Sequence, residues 1–561
     1  MVERAASDLE LARSRSEPII ARLPTALAAF VGRTLKGPVN RPVTVASFAQ
    51  FQQVFGGLWQ PATLSYAVEQ FFDHGGARAI IVRVANGARP PTITLPAGTG
   101  TLRLMGINPG SREFLRASVD YDGIPEGDAE RFNLVIQRVR SAASELIEDQ
   151  EIFRRVTLRP DSGRCLVDLL LQSRLARVME ALPAHRPDRS APGHGGSAIG
   201  YAFSNPDGDD GGPLTDYDII GSAAAGTGLF ALNAVEGFNF LCIPPLSRER
   251  DVGLSALLVA GRFCRERHAM LIVDPPSSWT SVRGALDGMR AWPFRSDSAL
   301  MYYPRVQAFD RLRGRLETFA SCGAVAGMLA RSDELSPLWS AVDNDEAALR
   351  PGTRPAVAVS DAERLRLAQA GINTLSAPRA NAGAGAIRVA TRTLAAGGSG
   401  FSDWKFLSAR RLALWIASSI ERGTRWVLLE QNVPATWARA RSLVESFLEV
   451  LAVQGAFAGV DAGDRYFVIC DERVNRPDTV ADGRVNLLFG FASSRPGEFD
   501  TWLVSHHSAA SRVRAVSVNR QATSRQRVEW EIETTILKKM DYPIAHPETH
   551  VNLTRLPPES G

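Results

Sequence analysis

The stretch LPTALAAFVGRTLKGPVNRPVTVASFAQFQQVFGG, residues 23–57, continued by LSYAVEQFFDHGGARAIIVRV, residues 64–84, decides the fold class. TALAAFVG reads as a buried strand. PVTVASF supplies Ser47, a residue type that accepts hydrogen bonds from the first backbone N–H groups of a helix. Phe48, Phe51 and Phe55 then fall on one side of a short helix, and Gly56 stands where it must stop. In the next segment Leu64, Ala67, Val68, Phe71 and Phe72 recur at helical spacing, Gly75 and Gly76 end the helix, and AIIVRV (79–84) is a β-branched strand. Strand alternating with helix predicts a small α/β layer.

Beyond it, the Pro/Gly/Thr-rich ARPPTITLPAGTG (88–100) reads as a boundary, and FNLVIQRV (132–139) with the turn YDGIPEGD (121–128) predicts a mostly β domain. The polar, turn-rich PAHRPDRSAPGHGGS (183–197) and NPDGDDGGP (205–213) read as a long loop or linker. From about 214 to 380, FNFLCIPP, AMLIVDPP and SALMYYPRV alternate with the helical VGLSALLVAGRFCRER and DAERLRLAQAG, the order of a largely parallel sheet. After NAGAGA (381–386) and AAGGSG (395–400) come two periodic helices. Ala409, Leu412, Ile416 and Ile420 stripe the first; Trp437, Ala440, Val444, Phe447 and Leu451 stripe the second. Strands at Tyr466–Cys470, Val485–Phe491 and Phe499–Val504 close the chain's apolar part.

A length of 561 residues predicts three or four domains at about 100–200 residues each. Apolar residues at 45% and charged residues at 22% give ordinary globular usage, and a net charge of +4 carries no excess that would direct the chain to nucleic acid. Lys36, Lys405, Lys538 and Lys539 are the only lysines among 64 basic residues, a bias that fits a GC-rich genome or bidentate ion pairs between subunits. Cys165, Cys242, Cys264, Cys322 and Cys470 are scattered, which predicts reduced, buried thiols. Met1–Pro18 lacks the apolar stretch of a secretory signal and no apolar run approaches the roughly 20 residues of a membrane span, so synthesis in the cytoplasm is expected.

No constellation of residues points to catalysis, a cofactor or a metal. The chain has no Gly-Lys pair, as a phosphate-binding Walker loop requires, and AGTGLF and NAGAGAIRV read as turns. His546 and His550 lie four apart, but Pro543 and Pro547 oppose a helix there. His506 and His507 are adjacent and point to opposite faces of a strand. DPPSSW and PDGDDGG read as turns, the latter lacking the spaced ligands of a calcium loop. Trp59, Trp404, Trp415, Trp437 and Trp502 read chiefly as core. On the helix from Asp403 to Arg422, the face opposite the stripe presents Arg411, Ser418 and Arg422, either as solvated surface or as a contact for an acidic partner.

Residues 23–57 and 64–84 resemble the opening block of the tail sheath family of contractile phages, pyocins and extracellular contractile injection systems. At the other end, FSDWKFLSARRLALWIASSIERGTRWVLLEQNVPATWARARSLVESFLEVLAVQGAFAG (401–459), RYFVICD (465–471) and GRVNLLFGFASSRPGEFDTWLV (483–504) are similar to the family's C-terminal domain. Between them NPGSREFLRASV, TDYDIIGSAAAGTGLFALNAVEGFNFLCIPP, ALMYYPRV, GAVAGMLARSD and VSDAERLRLAQAGINTL resemble its middle section, so the likeness spans about residues 23–520.

The resemblance implies a multi-domain α/β protein: an N-terminal arm (1–22), a discontinuous α+β sheath core (23–100 with 381–520), an inserted mostly-β domain (101–205), a subtilisin-like α/β domain (206–380) and a C-terminal extension (521–561). It implies a structural subunit, not an enzyme, and the G-T-S-M-A nucleophile motif of the subtilisin fold is absent. Subunits would form stacked hexameric rings around an inner tube, with baseplate and terminator or cap proteins at the ends, linked by arms that add strands to neighbouring sheets. Arg411, Ser418 and Arg422 are the candidate tube contact. The particle would be a phage tail or a phage tail-like device. A non-contracting tail or baseplate component is the alternative, with a hydrolase behind it. Two departures stand out: the family's Pro-Gly-Val-Tyr strand signature is missing from the N-terminus, and residues beyond Val518 form a long extension in which VEWEI (528–532) alternates as an edge strand does.

Overall fold

The computed structural model of the chain describes residues 19–142, 144–179, 181–191, 200–340, 348–376, 389–396, 403–508 and 511–516. The expected N-terminal arm up to residue 18, the NAGAGA joint, the HPETH histidines and the extension with VEWEI lie outside the described residues. The chain divides into two compact units, Pro24–Arg411 and, second, Met1–Leu23 with Leu412–Gly561.

The first unit opens as the sequence predicts, with β1 (Ala28–Gly32), β2 (Val43–Val45), α1 (Phe48–Phe55), α2 (Leu64–Asp73) and β3 (Ala79–Arg83). The Ser47 hydroxyl accepts from the Gln50 N–H at 3.2 Å, and Gly56 takes the left-handed φ of +90° that ends α1. A β-rich segment follows: β4 (Thr92–Ala97), β5 (Gly100–Gly106), β6 (Phe114–Asp120), β7 (Phe132–Val139), β8 (Ile147–Val156), β9 (Ala176–Val178) and β10 (Ala202–Phe203). These form two antiparallel sheets, β10-β6-β7-β8 and β4-β5-β9, over a shared core that includes Ile93, Leu104, Leu115, Leu134 and Ile136. The segment therefore begins at Thr92 and not at residue 101. TITLPA alternates buried and more open positions, so the stretch taken for a boundary is itself a strand, turned back at Gly98 with φ +60°. The loop beyond residue 183 is likewise no free linker, since the Ser190 N–H donates to the Val119 carbonyl at 2.9 Å and the Tyr121 hydroxyl to the Pro187 carbonyl at 2.7 Å.

Next come β11 (Phe240–Cys242), α3 (Leu254–Glu266), β12 (Met270–Val273), α4 (Val282–Ala291), β13 (Ala299–Tyr303), β14 (Val306–Asp310), β15 (Arg315–Phe319), α5 (Cys322–Leu335), β16 (Thr353–Pro355), α6 (Asp361–Gln369) and β17 (Asn373–Thr374). The expected parallel sheet is present, in the order β17-β13-β12-β11-β1-β3-β2, with β2 alone antiparallel to its neighbour. β1 lies between β3 and β11 and pairs Ala28 with Phe240. This corrects the expected union of residues 23–100 with 381–520: the opening strands complete the sheet of residues 240–374. The reason is burial. Ala29 and Val31 join one apolar core, while Phe30 meets Phe71 of α2 edge to face at 5.5 Å, so β1 has two covered faces and needs a strand on each side.

The second unit holds most of α7 (Leu407–Gly423), then α8 (Pro434–Val453) and an antiparallel sheet β18 (Tyr466–Ile469), β19 (Val485–Phe491), β20 (Asp500–His506) and β21 (Arg512–Val516), paired in that order. Phe467, Ile469, Leu488, Phe499 and Leu503 share one face of the sheet, as the alternation in FDTWLV predicts. On the other face Phe491 stacks on Phe457 at 5.4 Å, and Trp502 and Val504 are buried.

Candidate interaction site

The helix singled out for partner contact is α7. Its predicted stripe is buried at Leu412, Ile416 and Ile420, but so are Ala413, Leu414, Trp415 and Ala417, which lie around the remaining circumference. A helix apolar on all sides is an interior helix. The run LALWIA (412–417) carries that signal, because six consecutive apolar residues occupy every side of a helix.

Arg411 consequently does not sit on an open face. It is 6% exposed, its Nη2 lies 2.5 Å from the Asp333 carboxylate on α5 and 3.2 Å from the Thr25 carbonyl, and its guanidinium covers the Phe240 ring at 4.9 Å. The acidic partner it meets is in its own chain. Neighbouring Arg410, which the sequence reading did not single out, is buried too, 3.2 Å from Asp297 and over the Trp404 ring at 4.3 Å. Ser418 and Arg422 are half-buried. The tryptophans behave largely as core: Trp415, Trp437 and Trp502 are buried, and the Trp415 indole N–H donates to the Leu23 carbonyl at 2.8 Å.

The end of α7 is tied to the sheet through His506. The Thr424 hydroxyl donates to the Ile420 carbonyl at 2.6 Å, so its oxygen accepts from Nε2–H of His506 at 2.7 Å, and Nδ1 accepts from the Ser511 hydroxyl at 2.8 Å. Burial, with a smaller push from Arg425, lowers the imidazole pKa to about 4, which keeps it neutral. A serine on a histidine has the outline of a nucleophile and base, but a base of that pKa is nearly without basicity at neutral pH, and the third member is a threonine hydroxyl where a carboxylate would be needed.

The acidic motifs are structural as well. In DPPSSW, Asp274 accepts from the N–H groups of Ser321 and Cys322 at 2.7 and 2.8 Å and so caps α5; burial raises its pKa against those bonds and Arg305. In PDGDDGG, Asp207 accepts from the Thr92 N–H at 2.9 Å, Asp209 from the Gly211 N–H at 2.7 Å, and Asp210 from the Ser111 N–H and hydroxyl at 2.8 and 2.7 Å. Among the described residues no three His, Cys, Asp or Glu side chains are placed to share a metal ion. All five cysteines are free and buried.

β18 and β21 are the two outer strands of the second unit's sheet, and β21 presents exposed Arg512, Arg514 and Ala515.

No family model matches the sequence, and no curated protein does. Solved structures do match. The sheath tail protein Lin1278 from Listeria innocua superimposes with a TM-score of 0.54 at 12% identity, over 91% of this chain and 98% of that one. The contracted PVC sheath complex of an extracellular contractile injection system gives 0.50 at 15% identity, over 86% of this chain and 92% of that one.

The chain has the tail sheath fold. The coverage means that the sheath fold accounts for the parallel sheet, the β-rich insertion and the C-terminal sheet together, and not for a single module. Both matched proteins are sheath proteins by name. Within the sheath fold described here, the half-buried Ser418 and Arg422 and the outer strands β18 and β21 remain as candidate contact surfaces.

Proposed function

We propose that the chain is the structural sheath subunit of a contractile tail or injection device, assembling as stacked hexameric rings around an inner tube and shortening to drive that tube through a target envelope. The observation that carries this reading is the end-to-end likeness to a sheath tail protein, 98% of which is covered. Subunits would be tied by β-augmentation, in which extended segments of one chain add to the outer strands of a neighbour's sheet. Such main-chain bonds can persist while domain surfaces repack, so a lattice assembled in a long, metastable state can fall to a shorter one of lower free energy. Baseplate and terminator or cap proteins would hold the ends. The parallel-sheet region is read as subtilisin-like without a catalytic triad, and its work as mechanical. Ser418 and Arg422 are the proposed tube-facing residues; Arg411 is withdrawn from that set because its charge is spent on Asp333.

Negative-stain microscopy of the chain co-expressed with its tube protein tests the proposal. Striated tubes in two lengths are expected. Single rings or dispersed monomers would favour the non-contracting alternative, and stoichiometric labelling by a serine-directed covalent probe would favour a hydrolase.

A further inference from the structure

Between α7 and α8 the second unit passes through a 3₁₀ turn, Arg425–Leu429, and a connection closed on the Gln431 carbonyl, which accepts from the Val433 N–H at 3.0 Å and from the Thr436 hydroxyl at 2.7 Å. The corner so formed is apolar on its outside. Leu429 is 91% exposed, Leu428 and Val433 are exposed as well, and Pro434, Ala435 and Ala438 carry the open surface onto the first turns of α8. Single exposed apolar side chains need no explanation, but six within residues 428–438, on a corner held in one shape, mark a contact surface.

The same unit delivers a segment of its own to this corner. The Leu23 carbonyl accepts from the Trp415 indole N–H at 2.8 Å, whereas Ile20 lies against Gly423, where an added Cβ would meet Ile20 Cγ1 at 2.6 Å. Followed backward from Leu23 to Ile20, the chain therefore runs along α7 toward the end at which the 425–429 turn begins. Ile20 is 5% exposed and Ile19 83%, so the cover given by α7 stops at Ile20 and the residues upstream leave beside the corner.

Those residues, MVERAASDLELARSRSEP (1–18), lie outside the described residues, and their sequence carries a matching pattern. Val2, Ala5, Ala6, Leu9 and Ala12 recur at helical spacing within one stripe, while Arg4, Ser7, Leu11 and Ser14 fall opposite. A helix this short is marginal in water and needs an apolar surface to lie on. The reach is sufficient. Residues 13–18 can span roughly 20 Å at 3.3–3.6 Å each, whereas the turn Arg425–Leu429 rises only about 10 Å at about 2 Å per residue.

We propose that residues 2–12 dock as an amphipathic helix on the 428–438 corner of their own chain, with Leu9, the largest residue of the stripe, against Leu429. The inference does not depend on the sheath reading. A partner that binds the corner then has to displace this segment first.

Disulfide trapping in the purified full-length chain tests it. The five native thiols are buried, so exchange with oxidised glutathione reads an introduced pair. Leu9→Cys with Leu429→Cys should give an intramolecular disulfide at least tenfold faster than Leu11→Cys with Leu429→Cys, because position 11 faces away, and the rate should not depend on protein concentration. Equal rates for the two pairs mean a loose tether, and no disulfide means that the segment lies elsewhere; either overturns the dock. Disulfide-linked dimers whose yield rises with concentration place the segment on a second copy and overturn the chain itself as the source. As a measurement without cysteines, Leu9→Asp should speed amide exchange over residues 427–438 several-fold, and unchanged exchange there overturns the cover.

Discussion

Replacing Arg411 by alanine would leave Asp333, whose side chain is 7% exposed, as a nearly buried carboxylate without the guanidinium it pairs with. Removing one partner of a buried pair costs about 3–5 kcal/mol, so Arg411→Ala should lower the urea midpoint of the first unit clearly, and Arg411→Glu should lower it further. Ser418→Ala, at a half-buried position, should move it by about 0.5 kcal/mol or less. His74 and His506 make a second residue-scale expectation. Both have pKa values lowered to about 4, against 6.5 for an unperturbed imidazole, with burial as the main cause. The unfolded chain then binds protons that the folded chain refuses, so the stability these rings confer is complete above pH 6.5 and is lost as the pH falls from there toward 4. The full loss is on the order of 3 kcal/mol for each ring. Urea midpoints at pH 7 and pH 5 should show the decline, and His506→Gln should make it shallower; a flat profile would mean that the rings titrate freely in the fold.

At the scale of elements, α2 and α5 cross so closely that only glycine fits on the α5 side. A Cβ on Gly323 would lie 1.9 Å from the Ala67 carbonyl oxygen, and one on Gly327 would lie 2.3 Å from that of Phe71. Neither oxygen can move without breaking α2. Gly323→Ala should therefore destabilise by about 1–3 kcal/mol or more through forced separation of the helices, measurable as a lowered melting temperature, whereas Gly314→Ala in the β14–β15 turn meets no neighbouring atom and should cost only the strain of its φ of +66°. The same crossing shows what can be read from a linear chain. Ser47, Gly56 and the spacing of three phenylalanines define α1 because a cap and a period are local facts. The placement of β1 beside β11 is not local, since it joins Ala28 to Phe240, and nothing in either strand's sequence names the other. Arg411 fails the same way: periodicity places it opposite Leu412 and Ile416, but Asp333 arrives from another helix.

For the whole molecule, the question is what holds copies together. Among the described residues the two outer strands of the C-terminal sheet each have a strand neighbour on one side only, and β21 is short, basic and largely exposed, a combination that discourages random association while leaving a template for a specific strand. Residues 521–561 follow β21 in the sequence, VEWEI within them alternates as an edge strand does, and on the proposed sheath reading this is the segment donated to a neighbour. Deleting 521–561 should then leave the folded units intact, with an unchanged far-ultraviolet spectrum and melting temperature, while polymers disappear from sedimentation and microscopy. Adding the 521–561 peptide in excess to the deleted chain should restore strand addition at the edge, seen as amide-exchange protection in β20 and β21, without restoring long tubes, because a separate peptide saturates each edge and connects nothing. Normal tubes from the deleted chain would place the connection elsewhere and would leave β21 an ordinary protected edge.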